Sequence, residues 1–190
     1  MPISYCTAIS EQDLKQILTL QQVNHTSSVS AEQAERDGFV TVMHSFKLMQ
    51  QMNDAAPQII AKDGDQVVGY ALVMLKAFED MIPILKPMFQ RLSTIQYRKR
   101  KIADYTFYVM GQVCIAENYR GQGLFDALYK KHKELYGSQY DLCVTSVATR
   151  NTRSMRAHER IGFKTVHTFR DATDDWSILV WDFEGRNDEI

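Results

Sequence analysis

The longest apolar run in the chain, VVGYALVML at 67–75, has no polar alternation, so residues 66–76 read as a strand buried on both faces and central in a sheet. A shorter strand, 58–61, precedes it across Lys62-Asp63-Gly64-Asp65, where glycine supplies the positive φ of a hairpin turn. Gly69 inside the long strand marks a bulge or a close approach of a neighbouring element. Upstream, 3–9 alternates as a first strand. Ser10-Glu11-Gln12-Asp13 then opens a helix with a capping-box pattern, and Leu14, Ile17, Leu18 and Leu20 give it one apolar face as far as Asn24. Residues 25–30 form a polar loop. Ser30-Ala31-Glu32-Gln33 is a second helix start, interrupted by the extended-favouring stretch 38–42. A further helix carries Phe46, Leu48, Met49 and Met52 and stops at Ala55-Ala56-Pro57.

Downstream, aromatic and β-branched residues predict a strand over 105–115. Arg120-Gly121-Gln122-Gly123 is a turn. Leu124, Phe125, Leu128, Leu135 and Tyr136 then fall on one helical stripe, with Lys130, Lys131 and Lys133 elsewhere and Gly137 as a C-terminal stop. A strand over 141–149, a short helix over 151–160 and strands over 163–169 and 177–183 follow. The last two pair as a hairpin across 171–175, and the polar tail 184–190 is expected to fray. Residues 78–104 break the pattern. They hold Pro83, Pro87, a short helix at 88–95 and the basic run Arg98-Lys99-Arg100-Lys101. Long irregular connections often bind ligands.

Composition narrows the class. A chain of 190 residues without repeat or linker is read as one domain, 1–190. A net charge of −1 argues against a dedicated nucleic-acid binder. Cys6, Cys114 and Cys143 have no metal spacing and each falls in a strand, so buried free thiols are expected and no metal site. The five histidines, at 25, 44, 132, 158 and 167, show no helix-face pair of metal-binding spacing. There is no basic-then-apolar leader and no run long enough to span a membrane, and a cytoplasmic location is expected.

The strand, turn and helix at 105–136 carry the candidate chemistry. A helix opening out of a Gly-rich turn has unpaired leading N–H groups and a positive dipole end, which together attract an anion. Arg120 adds charge there. The alternative is an ordinary strand-to-helix turn. A Walker-type loop requires Lys-Ser or Lys-Thr after the glycine, and none is present. A dinucleotide fingerprint requires a third glycine where Asp126 stands, and Asp141 falls at the start of the next strand instead of its end.

The segment from Arg120 resembles motif A of the GNAT superfamily of N-acetyltransferases, Arg/Gln-x-x-Gly-x-Gly/Ala. Arg120, Gly123 and the preceding Val113-Cys114-Ile115 match, and Phe125 replaces the last small residue. A second segment, Asn151 to Phe163, resembles the family's Asn-x-x-Ala-x-x-Leu-Tyr-x-Lys-x-Gly-Phe. Asn151, Ser154, Gly162 and Phe163 match in spacing, and His158 stands at the Tyr position. With the N-terminal elements, the resemblance covers essentially the whole chain. It implies the GNAT fold, an α/β (α+β) architecture with a mixed, mostly antiparallel central sheet of about seven strands flanked by helices. The element order β α α β β β α β α β β agrees. It implies an acetyl-CoA-dependent transfer to a primary amine, with a small-molecule or peptide acceptor; the charge balance and the lack of a membrane-length apolar run argue for no nucleic-acid or membrane partner.

The same resemblance implies site residues. The backbone of Val113, Cys114 and Ile115 would pair with the pantetheine arm as an added strand. The amides of Gly121, Gln122, Gly123, Leu124 and Phe125, beside Arg120, would hold the pyrophosphate. Asn151 and Ser154 would approach the cofactor, with helix capping as the other reading of Asn151. His158 would protonate the leaving thiolate, or else fill space on its helix. Relatives carry glutamates where Gly111 and Ser146 stand here, so no general base is legible. Glu79 and Asp80 in the variable connection are candidates, against a reading as solvated charges. His44 either lines the acceptor cleft or is a packed side chain. The run 98–101 is a solvated loop, a contact for cofactor phosphate or an acidic acceptor, or a nucleic-acid contact. Two further functions stay open: an acyl-CoA-binding protein without catalysis, and a nucleic-acid module using 98–101.

Overall fold

The computed structural model describes residues 2–30, 32 and 39–183. The helix start expected at 30–33 falls largely outside these residues, as does the tail 184–190. The strands are β1 Ser4–Thr7, β2 Ile59–Asp63, β3 Gln66–Met74, β4 Gln96–Tyr97, β5 Arg100–Lys101, β6 Phe107–Ile115, β7 Leu142–Ala148, β8 Lys164–Arg170 and β9 Asp175–Asp182. The α-helices are α1 Glu11–Val23, α2 Phe46–Ala55, α3 Lys86–Leu92, α4 Leu124–Tyr136 and α5 Thr152–Ile161. Seven strands form one sheet in the order β1-β2-β3-β6-β7-β9-β8, and β4 pairs with β5 alone. The ladder β6–β7 is parallel, whereas β1–β2, β2–β3, β7–β9 and β8–β9 are antiparallel. This is the mixed, mostly antiparallel sheet expected.

The chain clusters into two compact units, Met1–Leu75 with Met110–His132, and Lys76–Val109 with Lys133–Ile190. In the first, Ser10 Oγ accepts the Asp13 amide while Asp13 Oδ2 accepts the amides of Ser10 and Ile9, completing the capping box. Asp13 is buried, and its other oxygen takes Lys62 Nζ at 2.9 Å. Burial alone would raise its carboxyl pKa, but the bonds from Lys62, Ile9 and Ser10 outweigh that and hold it low. Leu14 and Ile17 bring the α1 face onto Met49, Ile60, Tyr70 and Leu72, the core of this unit. Each such side chain contributes about 1.5–3 kcal/mol on full burial.

Ser45 caps α2, and Pro57 follows its end. Gln58 then bonds Val73 with its side chain: Oε1 accepts the Val73 amide at 2.7 Å, and Nε2 donates to the Val73 carbonyl at 3.0 Å. The β2–β3 turn is tighter than expected, centred on Gly64 at φ 57° with Asp63 opposite Gln66. The register shifts between Ala61 and Lys62, so the bulge expected near Gly69 lies beside it. A Cβ on Gly69 would stand 3.4 Å from the Cys114 carbonyl and 3.6 Å from Leu128, so a close approach is present as well.

In the second unit, β7 and β9 are largely buried, and Tyr108 packs among Tyr136, Tyr140 and Phe183. The strand β8 lies at the sheet edge, mostly exposed, with a register shift between Thr165 and His167. The irregular connection is ordered into short 3₁₀ turns, α3 and the β4–β5 hairpin. The basic run is therefore the turn and second strand of a hairpin instead of an irregular loop, with all four residues exposed as the solvated reading requires. Arg98 takes φ 51° in its turn, and its guanidinium reaches Asp182 at 3.0 Å. Arg100 lies over the Tyr105 ring and donates to the Asp104 carbonyl.

Candidate active site

The strand β6, a 3₁₀ turn at Glu117–Tyr119, the turn 120–123 and α4 follow one another without a gap. Gly121 and Gly123 take φ 72° and 81°, and a Cβ on either would meet nothing within 4 Å. Both glycines are required by backbone conformation and not by packing, and the space beside them is open. The first bond within α4 runs from the Ala127 amide to the Gly123 carbonyl, which puts residues 124–126 in the anion-attracting first turn. The neighbouring side chains fix the loop. Gln122 Nε2 donates to the Asn118 carbonyl, and Tyr119 Oη donates to Asp63. Arg120 Nε donates to the Ile115 carbonyl at 3.1 Å and Nη2 to Asn24 Oδ1 at 2.6 Å. Phe125, the residue that departs from motif A, packs its ring 4.8 Å from Tyr129 one turn further on.

Along β6, Val113 and Ile115 are half-buried and Cys114 is buried. Burial pushes the Cys114 thiol up to about 12, so it is a core thiol and not a nucleophile. Cys143 is likewise buried and outside any disulfide, while Cys6 is only half-buried. Among the described residues no cluster of His, Cys, Asp and Glu is arranged to hold a metal.

Asn151 caps α5, its Oδ1 accepting the Ser154 amide at 3.1 Å. Its capping role is thus realised, and its side-chain NH₂ keeps its donors. His158 sits one turn past Ser154 and is 2 % exposed. Its Nδ1 lies 2.8 Å from the Ser154 carbonyl, an acceptor only, so Nδ1 carries the proton. Its ring meets Phe163 edge-on. Burial, opposed by the Ser154 bond, lowers its pKa to about 4. A neutral imidazole whose N–H is already given to the helix is a poor source of a proton. This geometry favours the space-filling reading of His158 over the general acid.

Glu79 and Asp80 lie on the 3₁₀ turn Lys76–Met81. Asp80 is exposed and paired with Lys86 at 2.9 Å, as a solvated charge would be. Gly111 and Ser146 supply no carboxylate, and the Ser146 hydroxyl is buried without a hydrogen-bond partner among the described residues.

A buried polar cluster was not legible in the sequence. Gln21 on α1, fully buried, donates Nε2 to Gln112 Oε1 at 2.6 Å and lies 2.8 Å from His44 Nδ1. Tyr70 Oη also donates to Gln112 Oε1, and Gln112 Nε2 donates to the Val42 carbonyl. The only signal was a polar residue at a core-facing position: Gln21 continues the stripe of Leu14 and Ile17, and Tyr70 lies inside the apolar run.

The model of the acetyltransferase (GNAT) family matches residues 20–163. The chain belongs to the GNAT acetyltransferase family. No curated protein matches this acetyltransferase in sequence. In fold, it superposes on the ribosomal-protein-S18-alanine N-acetyltransferase of Escherichia coli with TM-score 0.64 at 12% identity, covering 100% of this chain and 99% of that one. Ard1 of Thermoplasma volcanium gives TM-score 0.64 at 13% identity, over 96% and 98%. A NatC complex bound to Gag peptide and CoA gives 0.63 at 13% identity, over 96% and 99%. No α-helix among the acetyltransferase's described residues is long and apolar enough to cross a membrane.

Proposed function

We propose that this acetyltransferase moves the acetyl group of acetyl-CoA directly to a primary amine. The observation that carries the proposal is the turn at 120–123. Two left-handed glycines with open space beside them lead straight into α4. The fit to an extended, phosphorylated thioester is chemical. The amides at Gln122, Gly123, Leu124 and Phe125 suit the pyrophosphate. The half-buried Val113 and Ile115 suit backbone pairing with the pantetheine arm. Arg120, bonded to Asn24 and Ile115, holds the turn in place and brings positive charge to it. The family resemblance adds Asn151 and Ser154 as further proposed cofactor contacts.

Acetyl-CoA supplies an acetyl thioester with a thiolate leaving group. Transfer forms a C–N bond, breaks the C–S bond, and moves one proton from the amine to the departing sulfur. With His158 neutral and no carboxylate at Gly111 or Ser146, we infer that water relays that proton. The small-molecule or peptide acceptor carries a primary amine. A NatC structure bound to a peptide and CoA, on the same fold, supports the peptide alternative.

Calorimetry tests the site. Acetyl-CoA should bind the parent, and Gly123→Asp should weaken binding by at least about tenfold through bulk and like charge at the pyrophosphate. Unchanged affinity would remove the phosphate site from this turn. The missing carboxylates also favour a second reading, acyl-CoA binding without transfer. Absence of CoA release with every member of an amine panel, despite tight binding, would select it.

A further inference from the structure

The cluster of Gln21, His44, Gln112 and Tyr70 is anchored at both ends by backbone groups, and this settles where every proton lies. The His44 amide donates to Gln21 Oε1 at 2.8 Å. A backbone N–H only donates, so this Gln21 atom is the oxygen and the other is the NH₂. At the far end, Gln112 Nε2 faces the Val42 carbonyl at 3.0 Å, which only accepts, so the Gln112 amide is fixed too. Gln112 Oε1 then receives Tyr70 Oη and one Gln21 hydrogen, each at 2.6 Å. The second Gln21 hydrogen points at His44 Nδ1, which must therefore accept. The His44 proton lies on Nε2.

Burial lowers the His44 pKa to about 4, so the ring is neutral at pH 7. Nε2 has no hydrogen-bond partner among the described residues, and His44 keeps 8% of its surface exposed. Four buried or half-buried polar side chains thus converge on holding one imidazole with its N–H turned away from them. A structural filler at this position would not require it, since an apolar side chain avoids the cost of burying polar groups. The residue before His44 in sequence, Met43, is 47% exposed, so the chain reaches the surface next to the imidazole's own position. The cluster reaches β6 at Gln112, the residue before Val113 on the strand proposed for the cofactor arm.

An N–H donor repels an ammonium and selects a carbonyl or carboxylate oxygen. The absence of a carboxylate at Gly111 and Ser146 points to the same acceptor chemistry. An α-amino group, with a pKa of about 8, is roughly a tenth deprotonated at pH 7, whereas a lysine amine, at about 10.4, is deprotonated in less than roughly one molecule per thousand. A site without a strong base therefore favours an α-amine, and an α-amine in a peptide stands next to a carbonyl.

Resting on the transfer reading above, we propose that the acceptor is a peptide α-amine and that His44 determines this specificity, its Nε2–H donating to the carbonyl oxygen beside the amine.

The test uses the full chain with acetyl-CoA and two probes, a trialanine amide with a free α-amine and an Nα-acetyl-lysine amide with a free ε-amine. Trialanine amide should be acetylated with the higher kcat/KM at pH 7. His44→Phe should raise its KM by about tenfold, and His44→Gln, which keeps an N–H donor, should restore part of it. Acetyl-CoA affinity should not change in either variant. Two-bond ¹H–¹⁵N correlation spectra of the parent should place the His44 proton on Nε2. A preference for the lysine amine, an unchanged KM in His44→Phe, or a proton on Nδ1 would each overturn the inference. Tight acetyl-CoA binding without acetylation of trialanine amide would overturn it and leave the cofactor site standing. Failure of the parent to bind acetyl-CoA would overturn both.

Discussion

The Arg120 guanidinium donates to Asn24 Oδ1 at 2.6 Å, joining the glycine turn to the C-terminal cap of α1 across 96 residues of sequence. The same guanidinium donates Nε to the Ile115 carbonyl. Only a planar fork makes both contacts at once, which a lysine ammonium on a flexible stem does not reproduce. Arg120→Lys is expected to lower stability by about 1.5–3 kcal/mol, the range for hydrogen bonds to a charged group. A double-mutant cycle with Asn24→Ala, followed by urea unfolding, should give a coupling of roughly 1 kcal/mol. Strict additivity would mean that the contact carries no energy.

His158→Phe separates two roles for that histidine. A general acid is worth ~10²–10⁴-fold in turnover. Because Nδ1 is given to the Ser154 carbonyl and the ring is neutral, the expected loss in kcat falls well short of that range. Steady-state rates on any working acceptor decide the point. A drop of ~10²-fold or more with unchanged cofactor affinity would restore the acid role.

The α1 cap gives a third measurement. Asp13→Ala removes the acceptor for two amides and leaves Lys62 without its carboxylate. The expected cost is about 2–4 kcal/mol, combining a lost cap with a broken, largely buried ion pair. Lys62→Met should cost less, about 1–3 kcal/mol, because the cap bonds survive although the buried carboxylate loses its cation. Equal losses in urea titrations of the two variants would contradict this ordering.

Acid sensitivity follows from the histidines. Burial holds His44 and His158 near about 4 and His132 near about 3, all below the ordinary value of 6.5. The unfolded chain therefore binds more protons than the folded one below pH 6.5. The stability contributed by these neutral rings is complete above that pH and lost progressively as pH falls toward about 4. Each histidine contributes a slope of up to about 1.4 kcal/mol per pH unit in this window. Urea unfolding at pH 7.5, 6 and 5 should show the decline, and His132→Leu should flatten it. A stability independent of pH between 7 and 5 would exclude these protonation states.

Much of the fold was legible because its signals are local. The strand β3 is a run of apolar residues buried on both faces, the capping box of α1 spans four residues, and the turn into α4 is spelled by its glycines. The β4–β5 hairpin was missed because Gln96, Tyr97, Arg100 and Lys101 carry no apolar period. Its turn holds Arg98 at a φ that sequence gives to glycine, and a pair with distant Asp182 accompanies it. The candidate site was half legible. Residues 113–125 announced themselves as a motif. The polar cluster did not, since Gln21, His44, Gln112 and Tyr70 are brought together from contacts 23, 42 and 91 residues apart.

The side chain of Gln58 carries a consequence for how this chain can change over time. Continuing the β2–β3 register past Ile59 and Ala71 would set Pro57 opposite Val73, and proline has no N–H to donate. The Gln58 amide, a peptide group on a two-carbon stalk, occupies that rung instead. The two positions are therefore coupled. Exchanging Pro57 alone finds the rung already taken, and exchanging Gln58 alone orphans the amide and carbonyl of Val73 in the interior. Change at 58 is conditional on change at 57: only after the exposed Pro57 has given way to a residue with an N–H can Gln58 be lost without emptying the rung.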